Sequence, residues 1–139
     1  MAVTNWGIIG PGDIAHNFAD GLKETDAGKL VAIASRDAKR RQEFGDQYAI
    51  TADMRFDSYK ALASAPDIDA IYVSTPHPWH AELSIMAMRH GKAVVCEKPM
   101  GMNAGEAAAV TEAAAQASVF FMEAFMYRFH PRIEFVQEL

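Results

Sequence analysis

The chain has one cysteine and comparatively few basic residues, and both shortages limit what it can be. Cys96 is the single cysteine among 139 residues, so no internal disulfide can form and a reducing compartment, the cytoplasm, is expected. Lysine and arginine total 13 against 18 acidic residues, which gives a formal net charge of -5. The basic residues are scattered, and we expect no nucleic-acid partner because affinity for a phosphate backbone requires a basic surface.

Long apolar runs are also missing. No stretch reaches the ~18 apolar residues of a membrane span, and the N-terminus lacks the charged and apolar regions of a signal peptide. We therefore expect neither membrane insertion nor export. Half of the residues are hydrophobic, and a chain of this length can bury a core, which predicts one folded domain. Cys96 follows an apolar segment, so packing as a small hydrophobe is favoured over a nucleophilic role.

Apolar, β-branched segments alternate with helical segments along the chain. This pattern predicts an α/β fold with a doubly wound parallel sheet and crossover helices on both faces. The predicted strands are 3–9, 30–35, 50–52, 70–74, 92–97 and 119–125. The predicted helices are 13–25, 38–48, 58–65, 79–90 and 104–117. Another helical pattern opens at Pro131 and lacks a stop signal, so we expect the sequence to be part of a longer protein.

The turn after the first strand is rich in small residues. Gly10 permits a tight turn, Gly12 lets the backbone approach a phosphate, and Ala15 lets the next helix lie close to the strand. Asp13 and Ile14 open that helix, where free N–H groups attract negative charge. The turn predicts a site for the pyrophosphate of a dinucleotide. An ordinary turn and an adenosyl-binding methyltransferase remain alternatives, because similar glycines occur in both.

The end of the second strand bears on the choice of dinucleotide. An NAD site normally places Asp or Glu there to hold the ribose 2′-hydroxyl, whereas this chain has Ser35 and Arg36. A hydroxyl and a guanidinium suit a 2′-phosphate, with Arg40 nearby, so NADP is favoured over NAD. The alternative for the basic run 39–41 is a solvated helix face.

Two later strand ends carry further candidates. The loop after the fourth strand contains two prolines and the imidazoles of His77 and His80. Metal binding by these histidines with Glu82 is disfavoured because no other ligand has suitable spacing, and His80 has a cap or packing role as its alternative. Glu97 and Lys98 follow the fifth strand, where an ammonium can polarise a carbonyl during hydride transfer.

Taken in order, these motifs resemble the Gfo/Idh/MocA oxidoreductases over the whole chain. The resembling segments are 7–12, 34–36, 69–76, 80–82, 91–99 and 123–128. The similarity is greatest to the branch that contains dihydrodiol dehydrogenases and NADP-dependent xylose dehydrogenases. It implies a Rossmann domain over 1–125, with 126–139 starting the connection to a C-terminal substrate domain that this sequence does not include. The family's acid/base residue would lie in that second domain.

The resemblance also implies roles for individual residues. Lys98 would be catalytic, facing the substrate hydroxyl beside the nicotinamide, and Glu97 would contact the cofactor's ribose or amide. Arg128 would lie at the edge of the site, and the Lys98–Pro99 bond would be cis. The residues implied to line the cofactor's ribose and nicotinamide are Thr75, His77, Trp79 and His80; many relatives have asparagine where His77 stands.

The resemblance implies an activity that the residues by themselves do not. The expected enzyme transfers a hydride between NADP and a hydroxyl carbon of a sugar, polyol or dihydrodiol. The expected partners are a small-molecule carbohydrate or diol and further copies of the same protein. A sensor or subunit that binds NADP without catalysis of its own is the alternative.

Overall fold

The structure, a computed structural model, describes residues 3–139 and contains one six-stranded parallel sheet. The first two residues of the predicted 1–125 domain lie outside the described range. The strands are β1 Thr4–Ile9, β2 Gly28–Ala34, β3 Arg55–Phe56, β4 Ala70–Val73, β5 Ala93–Cys96 and β6 Phe121–Glu123. The α-helices are α1 Asp13–Lys23, α2 Ala38–Gln47, α3 Tyr59–Ser64, α4 His80–Arg89, α5 Ala104–Ala117 and α6 Pro131–Gln137. Short 3₁₀ helices occupy Ala52–Met54, His77–Trp79 and Met126–Phe129.

The strand order is β3-β2-β1-β4-β5-β6, so the chain winds outward from β1 in both directions. This order confirms the predicted doubly wound fold. The winding reverses between β1 and β4, and ligands of such sheets bind beyond the carboxyl ends of the strands at that point. The loops after β1, β2, β4 and β5 all open toward this edge.

Each face of the sheet has its own hydrophobic core, because alternate residues of a strand point to opposite faces. Ile8 packs in the cluster that contains α1 and α2 residues, and Ile9 packs in the cluster formed with α3, α4 and α5. Both side chains are fully buried. The apolar character of β1 therefore reflects burial on two sides, as the sequence predicted.

The predicted strand at 50–52 is wrong, and the third strand is Arg55–Phe56. Ile50 is apolar because it packs in the α1 and α2 core cluster as a loop residue, not because it pairs with a strand. The Arg55 guanidinium donates to the Ile50 carbonyl at 2.6 and 2.8 Å, which satisfies the loop backbone. A two-residue strand with an arginine carries too little of the strand pattern to be found from sequence.

No helix among residues 3–139 is both long enough and apolar enough to span a membrane.

Candidate functional site: the cleft beyond β1, β2, β4 and β5

The turn between β1 and α1 requires glycine at position 10. Gly10 has a φ of +94°, a left-handed conformation that L side chains rarely adopt. A Cβ on Gly10 would lie 2.9 Å from Thr75 Cγ2 and 3.1 Å from the Thr75 backbone nitrogen. The Ser74 hydroxyl donates to the Gly10 carbonyl at 2.8 Å. The turn is therefore packed tightly against the loop after β4.

Gly12 instead faces open space. A Cβ there would find only the Ser74 carbonyl oxygen within 4 Å, at 3.7 Å. Gly12 is the N-cap of α1 and supplies no side-chain cap, so the first N–H groups of the helix, at Asp13 and Ile14, point to the cleft without a side-chain acceptor. This backbone cradle fits a pyrophosphate, since helix N-termini favour anions.

A cavity of about 490 Å³ extends from this cradle toward the end of β2. Its walls include Gly10, Pro11, Gly12, Asp13, Ile14, Ser35, Arg36, Asp37, Arg40, Tyr59, Ser74, Thr75 and Pro76. Most of the residues predicted for the pyrophosphate and the ribose phosphate thus share one cavity. The Thr75 hydroxyl is buried and has no hydrogen-bond partner among the described residues.

The end of β2 presents a hydroxyl and a guanidinium, while the adjacent acid is already engaged. Asp37 caps α2, accepting from the Arg40 N–H at 3.0 Å. Its own N–H donates to the Ser35 hydroxyl oxygen at 3.2 Å, which leaves the hydroxyl hydrogen free to donate into the cavity. The Arg36 guanidinium lies 5.7 Å from each of the ring centroids of Tyr59 and Trp79. The aromatic rings hold the exposed guanidinium at the cavity wall.

The sequence allowed two interpretations of the basic residues 39–41, as part of the phosphate site or as a solvated helix face, and the structure shows both arrangements. The Arg40 guanidinium donates to the Pro11 carbonyl at 2.9 Å, and Arg41 donates to the Ser35 carbonyl at 2.5 Å. Both therefore brace the cavity rim from α2. Lys39 lies 3.8 Å from Glu43 with both side chains largely exposed, so it belongs to the solvated face.

A second cavity of about 300 Å³ adjoins the first and lies beyond β4 and β5. Ile14, Ser74 and Thr75 line both cavities, which makes them one continuous cleft. His77, His80, Glu97 and Lys98 complete the polar wall of the second cavity, with Ala124 and Met126 on the apolar side. The Lys98 side chain is exposed, and the Lys98–Pro99 peptide bond is cis, which confirms that expectation.

Glu97 is fixed by a tyrosine that the sequence analysis missed. The Tyr72 hydroxyl donates to Glu97 Oε1 at 2.5 Å, and the Lys98 N–H donates to Oε2 at 3.3 Å. The Tyr72 ring stacks on Phe18 with centroids 4.0 Å apart. Burial and, second, the hydrogen bond to Glu97 raise the pKa of Tyr72 far above its ordinary value, so the phenol stays a donor. The available signal was a hydroxyl in the otherwise aliphatic β4.

His80 is a buried part of the wall of the second cavity. Its side chain is 0% exposed. Its Nδ1 is 2.7 Å from the Pro99 carbonyl oxygen, and its Nε2 is 2.7 Å from the Thr75 carbonyl oxygen. Both ring nitrogens are thus occupied by the backbone, which supports the packing alternative for His80 rather than direct contact with a cofactor.

The sequence matches a family over residues 4–125: Gfo/Idh/MocA, described as an oxidoreductase family with an NAD-binding Rossmann fold. The chain belongs to this family. It is 38% identical over 136 residues to the trans-1,2-dihydrobenzene-1,2-diol dehydrogenase of Mus musculus, a match that covers 96% of this chain and 40% of that protein. The same enzyme of Xenopus tropicalis is also 38% identical, over 98% of this chain and 41% of that protein.

A solved structure shows the same fold. KijD10, a 3-ketoreductase from Actinomadura kijaniata in complex with NADP, superposes with a TM-score of 0.89 and 32% sequence identity. The match covers 99% of this chain and 43% of KijD10. The Gfo/Idh/MocA resemblance is therefore confirmed, and the chain spans about two fifths of the length of these relatives.

In this Gfo/Idh/MocA domain, Arg128 is not brought together with the other predicted residues. It lines a separate cavity of about 460 Å³ with Met100 and Phe125. In a 3₁₀ helix of three residues per turn, residues two apart point in different directions, so Met126 faces the cleft and Arg128 faces away. In this structure Arg128 therefore lines a different cavity from the other predicted residues.

The structure also adds a residue beside Arg36. Tyr59 opens α3 directly after its Ser58 cap, and its ring supports the Arg36 guanidinium. The sequence offered only an aromatic residue at a helix start, which more often indicates packing. Among residues 3–139, no group of three or more histidine, cysteine, aspartate or glutamate side chains is arranged to hold a metal ion.

Proposed function

We propose that this chain is the coenzyme domain of an NADP-dependent oxidoreductase. The enzyme would transfer a hydride between NADP and a hydroxyl carbon of a sugar, polyol or dihydrodiol. In this proposal residues 1–125 form the coenzyme domain, 126–139 begin a connection to a substrate domain, and the whole protein assembles from several copies. The observation that carries the preference for NADP is the set of donors at the end of β2, where the adjacent acid is already used as a helix cap.

The donors suit a 2′-phosphate in both charge and position. Arg36 offers a planar guanidinium that two aromatic rings hold in place, so little side-chain entropy is lost on binding. The Ser35 hydroxyl is 6% exposed and can donate, since its oxygen already accepts from Asp37. Arg40 adds positive charge on the same cavity wall. A carboxylate at this position would instead repel the phosphate.

The remaining parts of the cofactor follow the cleft. The pyrophosphate would lie on the Gly12 cradle at the N-terminus of α1, and the nicotinamide would extend into the second cavity between Thr75, His77 and Lys98. Trp79 would flank the adenosine side through its contact with Arg36. The choice of NADP is supported by KijD10, whose structure contains NADP.

The second cavity has the groups that hydride transfer requires. NADPH supplies the hydride when bound. We assign Lys98 the catalytic role, because an exposed ammonium at the end of β5 can stabilise negative charge that develops on the substrate oxygen. Glu97 would accept a hydrogen bond from the ribose or the carboxamide, since Tyr72 and the Lys98 N–H hold its carboxylate in one orientation.

Calorimetric titration with NADPH and NADH tests the proposal directly. Loss of charge-assisted bonds to the phosphate costs ~1.5–3 kcal/mol, so we expect NADPH to bind about tenfold or more tightly. Arg36→Ala should remove most of that difference by weakening NADPH binding while leaving NADH binding nearly unchanged.

Lys39→Ala is the matched control. It removes the same charge three residues away, but its ammonium pairs with Glu43 on the solvated face of α2. The control should preserve the preference for NADPH. Equal affinity of the unmodified chain for the two cofactors contradicts the NADP assignment, and absence of binding to either contradicts the coenzyme-domain assignment.

A further inference from the structure

His80 is bonded in a way that a neutral imidazole cannot satisfy. Each ring nitrogen lies 2.7 Å from a carbonyl oxygen, of Pro99 on one side and of Thr75 on the other. A carbonyl oxygen only accepts hydrogen bonds, so both contacts require an N–H donor. The neutral ring has one N–H and one lone pair, and the lone pair would face a carbonyl oxygen at 2.7 Å. Rotating the ring by half a turn about its Cβ–Cγ bond would place ring carbons beside the two carbonyl oxygens, and both hydrogen bonds would be lost.

We infer that His80 is doubly protonated in the folded protein and is a positioning residue for Lys98. The imidazolium donates one hydrogen bond to each of two loops, and the Pro99 loop is the one that carries Lys98. This inference deepens the proposed function, on which it rests for the role of Lys98.

The pairing of β4 with β5 joins the two loops at their bases, where the Glu97 N–H donates to the Val73 carbonyl at 2.9 Å, and His80 adds a side-chain link further out. Thr75 contacts the glycine turn through its methyl group and its backbone nitrogen, so the Thr75 end of the clamp also supports Gly10. The Pro99 carbonyl lies one residue beyond Lys98 on the other side. His80 therefore couples the phosphate cradle to the nicotinamide end of the cleft through one buried ring.

A buried cation must be compensated by its surroundings. The two carbonyl dipoles supply acceptors for both N–H groups, and full burial keeps water from competing for them. The His77 ring is 5.5 Å away, centroid to centroid. The other titratable side chains on the elements packed against α4, together with those flanking β5, are Tyr59, Lys60, Tyr72, Lys92, Cys96, Glu97, Lys98, Glu106 and Glu112.

Nuclear magnetic resonance of the 139-residue protein tests the protonation state. Ring nitrogens that carry a proton have ¹⁵N shifts distinct from those of a bare nitrogen, and long-range correlation to the ring protons reports both nitrogens of each histidine. We expect both His80 nitrogens to carry a proton in the folded protein at neutral pH. His90, exposed at the far end of α4, serves as the reference histidine in the same spectra. A bare nitrogen in His80 at neutral pH overturns the inference.

Cofactor fragments test the positioning role. His80→Gln leaves a side chain that can donate to only one of the two carbonyls. We expect it to weaken NADPH binding at least roughly fivefold, because a loop held by one of its two bonds no longer keeps Lys98 in place at the nicotinamide end of the cleft. Binding of 2′,5′-ADP, which occupies only the Ser35 and Arg36 end of the cleft, should stay within about twofold. His90→Gln should change neither affinity.

The outcomes distinguish failure of the positioning role of His80 from failure of the proposed function. A parallel loss of NADPH and 2′,5′-ADP binding, or no loss at all, overturns the positioning role. Failure of the unmodified protein to bind either compound instead contradicts the proposed function, while the protonation of His80 is still read from the spectra. If His80→Gln does not fold, the spectra of the unmodified protein decide the inference on their own.

Discussion

Replacing Gly10, Gly12 and Gly91 one at a time by alanine separates three effects that the structure assigns to different glycines. Gly91 has a φ of +76° and no atom within 4 Å of a Cβ, so it carries backbone strain alone. Gly10 carries strain and a steric clash, since its Cβ would lie 2.9 Å from the Thr75 methyl group. Gly12 has a φ of -88° and carries neither.

The expected losses in the free energy of unfolding follow from these geometries. An L residue in the left-handed region costs ~1–2 kcal/mol, which is the whole effect expected for Gly91→Ala. Overpacking adds ~1–3 kcal/mol at Gly10, so Gly10→Ala should cost about 2–5 kcal/mol in total. Domains are stable by only ~5–15 kcal/mol, so that loss is a large fraction. Gly12→Ala should change the stability by less than ~1 kcal/mol.

Urea denaturation followed by circular dichroism measures these stabilities, and calorimetry measures NADPH affinity. Gly12→Ala should retain the fold but lose at least about tenfold in NADPH affinity, because its methyl group occupies the space where the backbone meets the pyrophosphate. Gly91→Ala should bind NADPH normally. Equal destabilisation by Gly10→Ala and Gly91→Ala would refute the argument for close packing against Thr75, and normal binding by Gly12→Ala would refute the cradle.

Three further predictions concern other parts of the molecule. Tyr72→Phe removes the hydrogen bond to Glu97 and should lower the free energy of unfolding by about 0.5–1.5 kcal/mol. Because Glu97 is then free to move, the variant should bind NADPH more weakly but 2′,5′-ADP as before. Unchanged NADPH affinity contradicts the role of Tyr72 in holding Glu97. Burial raises the pKa of Cys96 to about 12, so the thiol of the folded protein should resist alkylation at pH 8 until urea is added. The contribution of the buried thiol to stability should be lost only as the pH rises above the pKa of the unfolded thiol, about 8.5. Rapid labelling of the folded protein contradicts this prediction. Phe129 and Val136 are 68% and 62% exposed, so we expect the protein to self-associate with rising concentration in sedimentation experiments. Phe129→Ser should reduce this self-association. A protein that stays monomeric at high micromolar concentration contradicts the prediction.

Sequence reasoning located the elements whose signals are local. The glycines of the first turn and the buried strands are each encoded within a few neighbouring residues. The β3 strand was misplaced because Ile50 carries a strand-like apolar signal for a different reason, burial in the core between strands.

Some residues of the candidate site could likewise be found from local sequence signals, and others could not. Ser35, Arg36, Glu97 and Lys98 were identifiable from sequence, since ligand-facing residues follow parallel strands directly and the strands were recognisable. The family resemblance placed Arg128 at the edge of the site. The 3₁₀ turn directs its side chain to another cavity, a direction that depends on local backbone geometry rather than on residue type.

The sequence by itself determined a doubly wound fold, a glycine cradle and a hydroxyl and a guanidinium at the end of β2, because these depend on residues adjacent in the chain. Only the tertiary structure decided that the Tyr72 hydroxyl reaches Glu97, 25 positions away, and that Tyr59 supports Arg36. It likewise decided that the two ring nitrogens of His80 each lie 2.7 Å from a backbone carbonyl oxygen. A hydrogen bond exists only where packing brings a donor and an acceptor to within about 3 Å, and no pattern of residue types along the chain encodes that distance.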